Sequence, residues 1–233
     1  MPRQVPVDRF EALIQAATAV FLEQGFRRTQ MSDVAERLGT AKGTVYLYVE
    51  SKEALFLQVL LHADRAAKIA LPEKLPVPSP RPGEVLKLAG RRLAAQAVLP
   101  SIAAALAKRS VRDLRAEVER IVRELFRLLA GNRVGIKLLD RCSQDYPELA
   151  ALWFGAGRSG VVRQLERYLE ARIRQRKFPA VADVPFAARM VLETAALWAV
   201  HHHWDPAPQP LGEELAETAV VEFVTRALLG GGR

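Results

Sequence analysis

Apolar residues recur along this chain at intervals of three and four. No stretch sustains the strict alternation of a half-buried strand, so the pattern predicts an all-α protein of about nine helices. Phe10, Leu13, Ile14, Ala17 and Phe21 line one face of a first helix, with Asp8 as its N-cap and Gly25 as the glycine that ends it. A short second helix is expected from Met31 to Leu38, and Gly39 supplies the turn that follows. A third opens at Thr40 or Ala41 and ends near Tyr48, with Val45, Leu47 and Val49 in the core. Ser51 caps a fourth that runs to about Leu71. Pro72, Pro76, Pro78, Pro80 and Pro82 then forbid helix and mark a domain boundary or a long loop.

Helical spacing returns at Glu84. Val111, Leu114, Val118, Ile121, Val122, Leu125 and Leu129 form an apolar stripe. Asp145 as N-cap, Pro147 and Glu148 open a helix that runs to about Lys177, and Gly155, Gly157 and Gly160 weaken it from within. Asp183 and Pro185 open the next, which ends before Asp205. The last runs from Leu211 to Leu229, where Gly230 to Gly232 stop it.

Composition narrows the function. The chain has 233 residues, half of them hydrophobic, enough for a substantial core. No apolar run reaches the ~18 residues that cross a bilayer, and Met1 to Phe10 holds no signal-peptide core, so a cytoplasmic protein with no membrane partner is expected. The one cysteine, Cys142, excludes an intrachain disulfide and a cysteine-based zinc site. Three of the four histidines are consecutive, His201 to His203; on a helix they point about 100° apart and cannot converge on one metal. No nucleophile elbow, zinc-protease or phosphate-loop pattern is present. The expectation is a protein that is not an enzyme and has neither cofactor nor metal. The net charge of +8 is unevenly placed: residues 1–50 are neutral, whereas 81–178 carry +11.

Gly25 to Leu55 carries the functional signal. Two short helices about Gly39, with a third helix close behind, form a helix-turn-helix, whose second helix enters the major groove of DNA. Phe21, Gly25, Thr29, Val34, Ala35, Gly39, Lys42-Gly43-Thr44, Tyr46, Tyr48 and Ser51-Lys52-Glu53-Ala54-Leu55 stand in the order and spacing of the tetracycline-repressor-like (TetR) regulators, and over about residues 8–60 the chain resembles that family. It departs in having Val34 for the usual Ile, Val49 for Phe and Ala41 for a frequent Ser, which removes one cap or phosphate contact.

The resemblance implies an N-terminal DNA-binding domain, residues 1–52. A larger helical domain, 53–233, would bind a small-molecule effector and pair with a second copy. The function implied is a ligand-responsive regulator, most often a repressor, on a near-palindromic operator. A reader in the groove needs small residues and free N–H groups at its helix start, and polar or flat side chains for base edges and phosphates. The expected DNA contacts are Thr29, Thr40, Lys42, Gly43, Thr44, Tyr46, Tyr48 and Lys52. Packing against the first helix competes with DNA contact for the two tyrosines.

One reader covers only a few base pairs, so a dimer is expected through helices near 183–204 and 211–229. The apolar side of the second of these would be Ala216, Val220, Phe223, Val224 and Ala227. Phe126, Cys142, Trp153, Phe154, Met190, Trp198 and His201 are the candidates for an apolar pocket, with Arg158 for an acidic group on the ligand. A ligand-independent DNA-binding or interaction module on the same fold stays open as the alternative, with a metal-binding protein behind it.

Overall fold

The computed structural model describes residues 7–64, 69–108, 110–207 and 209–230. Among them are twelve α-helical segments, no strands, and no helix long and apolar enough to cross a membrane. The protein is all-α, as the pattern predicts. It forms two compact units, one of Met1–Arg92 with Val134–Trp153, the other of Leu93–Arg133 with Phe154–Arg233. The expected boundary after residue 52 therefore falls inside the first unit.

In the first unit, α1 (Val7–Gln24), α2 (Met31–Arg37), α3 (Lys42–Val45) and α4 (Lys52–His62) pack around the predicted face of α1, where Phe10, Leu13, Ile14, Ala17 and Phe21 are all buried. Asp8 lies within the first turn of α1 rather than capping it. Ser51 caps α4 as expected, its Oγ accepting the Ala54 N–H at 3.1 Å. α4 ends at His62, and Asp64 at a left-handed φ of 63° turns the chain away. The Asp64 carboxylate accepts the Val134 and Gly135 N–H groups, both at 2.7 Å, at the start of α8 (Arg133–Ser143). Residues 65–68, which the expected α4 would include, and Gly231 and Gly232 lie outside the described residues.

The proline-rich run is not a boundary between units. It is an irregular strap that folds back onto the first unit, where Val77 bridges Val49 in parallel. α5 (Glu84–Gln96) follows it. Asp145 does not take the N-cap role expected of it, because α9 (Pro147–Leu152) starts after Tyr146 without a side-chain cap. Asp145 accepts the Arg27 N–H instead, at 3.0 Å, beside the turn that ends α1.

The second unit is a helical bundle. α7 (Leu114–Ala130) packs on α11 (Val184–Ala199) and α12 (Glu213–Leu229), α10 (Ser159–Arg174) packs on α11, and α6 (Pro100–Leu106) packs on α7 and α10. The α7 stripe is buried from Val118 to Leu129. A π-helical turn, Trp153–Arg158, joins α9 to α10 where the glycines weaken the expected single helix. The core also holds charge. Arg172 donates from Nε to Glu117 Oε1 at 2.7 Å and from Nη2 to the Ala105 carbonyl at 2.8 Å, and the Tyr168 hydroxyl donates to the same Glu117 oxygen at 3.0 Å.

Candidate DNA-reading surface

The α2–α3 geometry follows from a few local choices. Gly25 and Gly39 adopt φ of 82° and 68°, which a β-carbon would strain, and so end α1 and turn α2 into α3. Ala41 occupies the α3 N-cap without a side-chain bond, as expected from its lack of a hydroxyl. α3 is short, but Leu47 and Tyr48 continue its turn by donating to Thr44 and Val45 carbonyls at 3.2 and 3.0 Å. Val45, Tyr48 and Val49 therefore share the inward face, an i, i+3, i+4 set.

That register sorts the predicted contacts. Lys42 and Gly43 are exposed, Thr40 and Thr44 half-buried, and Tyr46 is 40% exposed. A β-carbon built on Gly43 would meet nothing within 4 Å, so no internal packing demands a glycine there. Leu47, expected in the core, is 55% exposed beside Tyr46. It is the surface residue that sequence reasoning misses, and correct helical phasing from Val45 would find it.

Three expected contacts have partners within the fold. Thr29 is 1% exposed and donates its hydroxyl to the Gly25 carbonyl at 2.6 Å. Tyr48 is 2% exposed and stacks on Phe10, and burial pushes its hydroxyl pKa up, with Arg9 opposing. The Lys52 ammonium donates to the Thr29 and Arg27 carbonyls at 3.0 and 3.2 Å and sits 4.7 Å from the Phe26 ring centre. It clamps the α1–α2 loop. Arg37 pairs with Glu23. The surface left open is Thr40 to Leu47, with Tyr48 removed from its outer side.

The predicted pocket residues are divided between the two units. Cys142 is sealed in the first unit near the Phe21 carbonyl, while Phe126 is sealed in the second. Phe154 and Met190 are exposed, Met190 on the outer side of α11. Arg158 is paired with Glu193, which Arg189 also meets at 2.6 Å. Trp198 is half-buried against the His202 ring, and His201 begins a 3-10 turn. Trp153 is half-buried, and its indole Nε1 is buried without an acceptor. Among the described residues no group of three or more His, Cys, Asp or Glu could hold a metal.

Burial is the main cause that pushes the Cys142 thiol up to about 12, with Asp145 adding to it. A thiolate attacks alkylating reagents and a thiol does not. Folded protein at pH 8 is expected to leave Cys142 unmodified by iodoacetamide, with modification only after unfolding in urea; mass spectrometry reads both. Because the folded value lies above the ordinary value near 9, this group's contribution to stability is complete below pH 9 and declines as pH rises toward 12.

In an all-α protein, an open, glycine-containing short helix after a glycine turn is the arrangement of a helix-turn-helix, whose second helix is the one that reads DNA. The sequence pattern described as "Bacterial regulatory proteins, tetR family" matches residues 13–59. Residues 13–59 thus match the DNA-binding region of the TetR family of transcriptional regulators, and the chain as a whole shares the fold of a TetR-type structure. The HTH-type transcriptional regulator YvdT of Bacillus subtilis is 44% identical over 55 residues, 24% of this chain and 28% of the relative. The fatty acid metabolism regulator protein of the same organism is 35% identical over 51 residues, 22% and 26%. The matches thus span just over a quarter of either relative. The ketosteroid transcriptional regulator KstR2 of Mycobacterium tuberculosis shares the fold over 97% of both chains, with a TM-score of 0.58 at 17% identity.

Proposed function

We propose that this protein represses transcription in the cytoplasm by binding a near-palindromic operator as a dimer, and that a small molecule bound C-terminal to the reading helices releases it. The observation that carries the DNA reading is the open surface of Lys42, Gly43, Thr44, Tyr46 and Leu47. Lys42 and Thr44 suit phosphates and base edges, and Tyr46 with Leu47 suits an apolar contact such as a thymine methyl. Thr40 borders this set.

Pairing is supported by the outer faces of α11 and α12. Ala216, Val220 and Val224, expected at the partner surface, are buried within the chain. The exposed apolar residues are Leu215 and Phe223 on α12 and Phe186, Met190 and Leu197 on α11, with Phe186 65% and Phe223 64% exposed. Large apolar side chains exposed on two helices that pack together suit an interface, and a second copy supplies the same surface for a two-fold contact. Phe186→Glu with Phe223→Glu is expected to convert a dimer to a monomer in sedimentation velocity while far-ultraviolet circular dichroism stays helical. A dimer that persists in the double variant excludes this face.

Release by a ligand is supported by the buried, acceptor-free Trp153 indole N–H, which a ligand oxygen would satisfy. The second reading is a DNA-binding protein without effector. The test is binding to the DNA flanking the protein's own gene, at two salt concentrations and with competitor DNA, followed by a small-molecule screen for release. Saturable, salt-sensitive binding to one site supports the regulator. Release by no compound, with tight binding retained, supports the second reading.

A further inference from the structure

The first 50 residues are electrically neutral, yet DNA presents one negative charge per ~1.7 Å of axis. The reader's own cations are also partly engaged: Lys52 is held by loop carbonyls and Arg37 by Glu23. Additional cations, Lys74 and Arg81, lie on the proline strap, whose backbone pairs with the segment that follows the reading helix. From this arrangement we propose that the strap, residues 72–82, is a second DNA-contacting element, with Lys74 and Arg81 binding backbone phosphates beside the groove that α3 enters. The proposal rests on the DNA reading above.

The strap is fixed to the reader by three hydrogen bonds. The Glu50 N–H donates to the Val77 carbonyl at 2.9 Å, the Val77 N–H to the Tyr48 carbonyl at 2.8 Å, and the Ser79 N–H to Glu50 Oε2 at 2.9 Å. The Val77 side chain is buried, so the bridge is pegged as well as hydrogen-bonded. Tyr48 and Glu50 are the residues that close the reading helix. An extended residue spans at most ~3.4 Å, so the Lys74 and Arg81 backbones lie within about 10 and 14 Å of Val77. The major groove is ~12 Å wide, a span comparable to that reach.

Both side chains are exposed. Five prolines restrict the unbound strap, so little chain entropy is lost when it meets a phosphate. The neighbouring carboxylates are mostly engaged with backbone: Glu50 accepts the Ser79 N–H, and Glu84 accepts the Arg81 N–H at 2.9 Å. Glu73 is the remaining exposed carboxylate of the strap. Lys74→Gln and Arg81→Gln keep length and polarity and leave the Val77 bridge untouched.

The experiment uses full-length protein and a fluorescent duplex recovered by selection from a randomised library, titrated between about 0.05 and 0.2 M salt. A charge-matched control carries Lys87→Gln and Arg91→Gln, both exposed on α5 beyond the strap. Removing one cation that neutralises a phosphate makes the log–log salt slope shallower by about 0.9. The strap variant is expected to show about two such increments per protomer and to bind at least tenfold more weakly at the lower salt, with the control close to wild type. Equal slopes in all three proteins, or equal weakening in strap and control variants, overturn the strap as a DNA-binding element. Failure of wild-type protein to recover any duplex instead overturns the DNA reading, and the strap proposal with it.

Discussion

Gly43→Leu is expected to abolish specific DNA binding and leave the folded protein as stable as before, or more so. The β-carbon site at Gly43 is open, with no atom within 4 Å, and the residue is exposed on a helix. Replacing a helical glycine by leucine removes a backbone-entropy penalty of up to about 1 kcal/mol, so the folded state gains. On DNA the sign reverses. An isobutyl group at the start of α3 separates the backbone from the groove and displaces Thr44 and Tyr46 together. Breaking the base and phosphate interactions of both protomers corresponds to about 3 kcal/mol or more, at least ~100-fold in affinity. Thermal melting and fluorescence anisotropy on one protein preparation measure the two effects. A lowered melting temperature would mean that Gly43 is a packing glycine, and unaltered binding would remove α3 from the interface.

Glu117→Gln is expected to have the largest effect on stability. The Arg172 side chain is fully buried and that of Glu117 is 6% exposed, so the variant leaves a guanidinium in the core without its counter-charge. Removing one partner of such a pair costs about 3–5 kcal/mol, a large share of a domain's stability. The Tyr168 hydroxyl then meets an amide in place of the carboxylate that accepts its hydrogen bond. Burial and Glu117 together hold that hydroxyl's pKa well above the ordinary tyrosine range, so it stays a donor at any working pH.

Urea unfolding measures the loss as a lower midpoint. Glu117→Met combined with Arg172→Met is expected to recover part of it, because no charge is then left uncompensated, although the Ala105 carbonyl loses its donor. Glu217→Gln, which removes the more exposed pairings to Arg123 and Arg127, is expected to change stability by at most about 1 kcal/mol. Similar losses for Glu117→Gln and Glu217→Gln would show that the buried pair is not a special determinant.

Much of the fold is legible in the sequence, and the failures have physical causes. The inner face of α1 follows from its long apolar period, because five turns of helix average out local ambiguity. Over the few residues of α3 that averaging is absent. Val45, Leu47 and Val49 read equally well as an inward set by alternation, whereas the helical turn buries Val45, Tyr48 and Val49 and turns Leu47 out. Thr29 and Lys52 are polar, which suggests solvent or DNA, but the α1–α2 loop has carbonyls that need donors, and these two side chains supply them. On α12 every residue near the apolar stripe is a plausible partner contact until the rest of the bundle takes one side. Ala216, Val220 and Val224 go inward, and Leu215 and Phe223 remain outside. The strap's return to Tyr48 and Glu50 is a backbone pairing that no side-chain pattern announces.

Selection of the full-length protein against a randomised DNA library, followed by sequencing of the retained duplexes, tests the central claim most directly. The account predicts enrichment of a motif with two related half-sites in inverted orientation, their centres about one helical turn or more apart, and loss of that enrichment with Gly43→Leu. Retention of sequences without any shared motif, or the same motif recovered by Gly43→Leu, would contradict it.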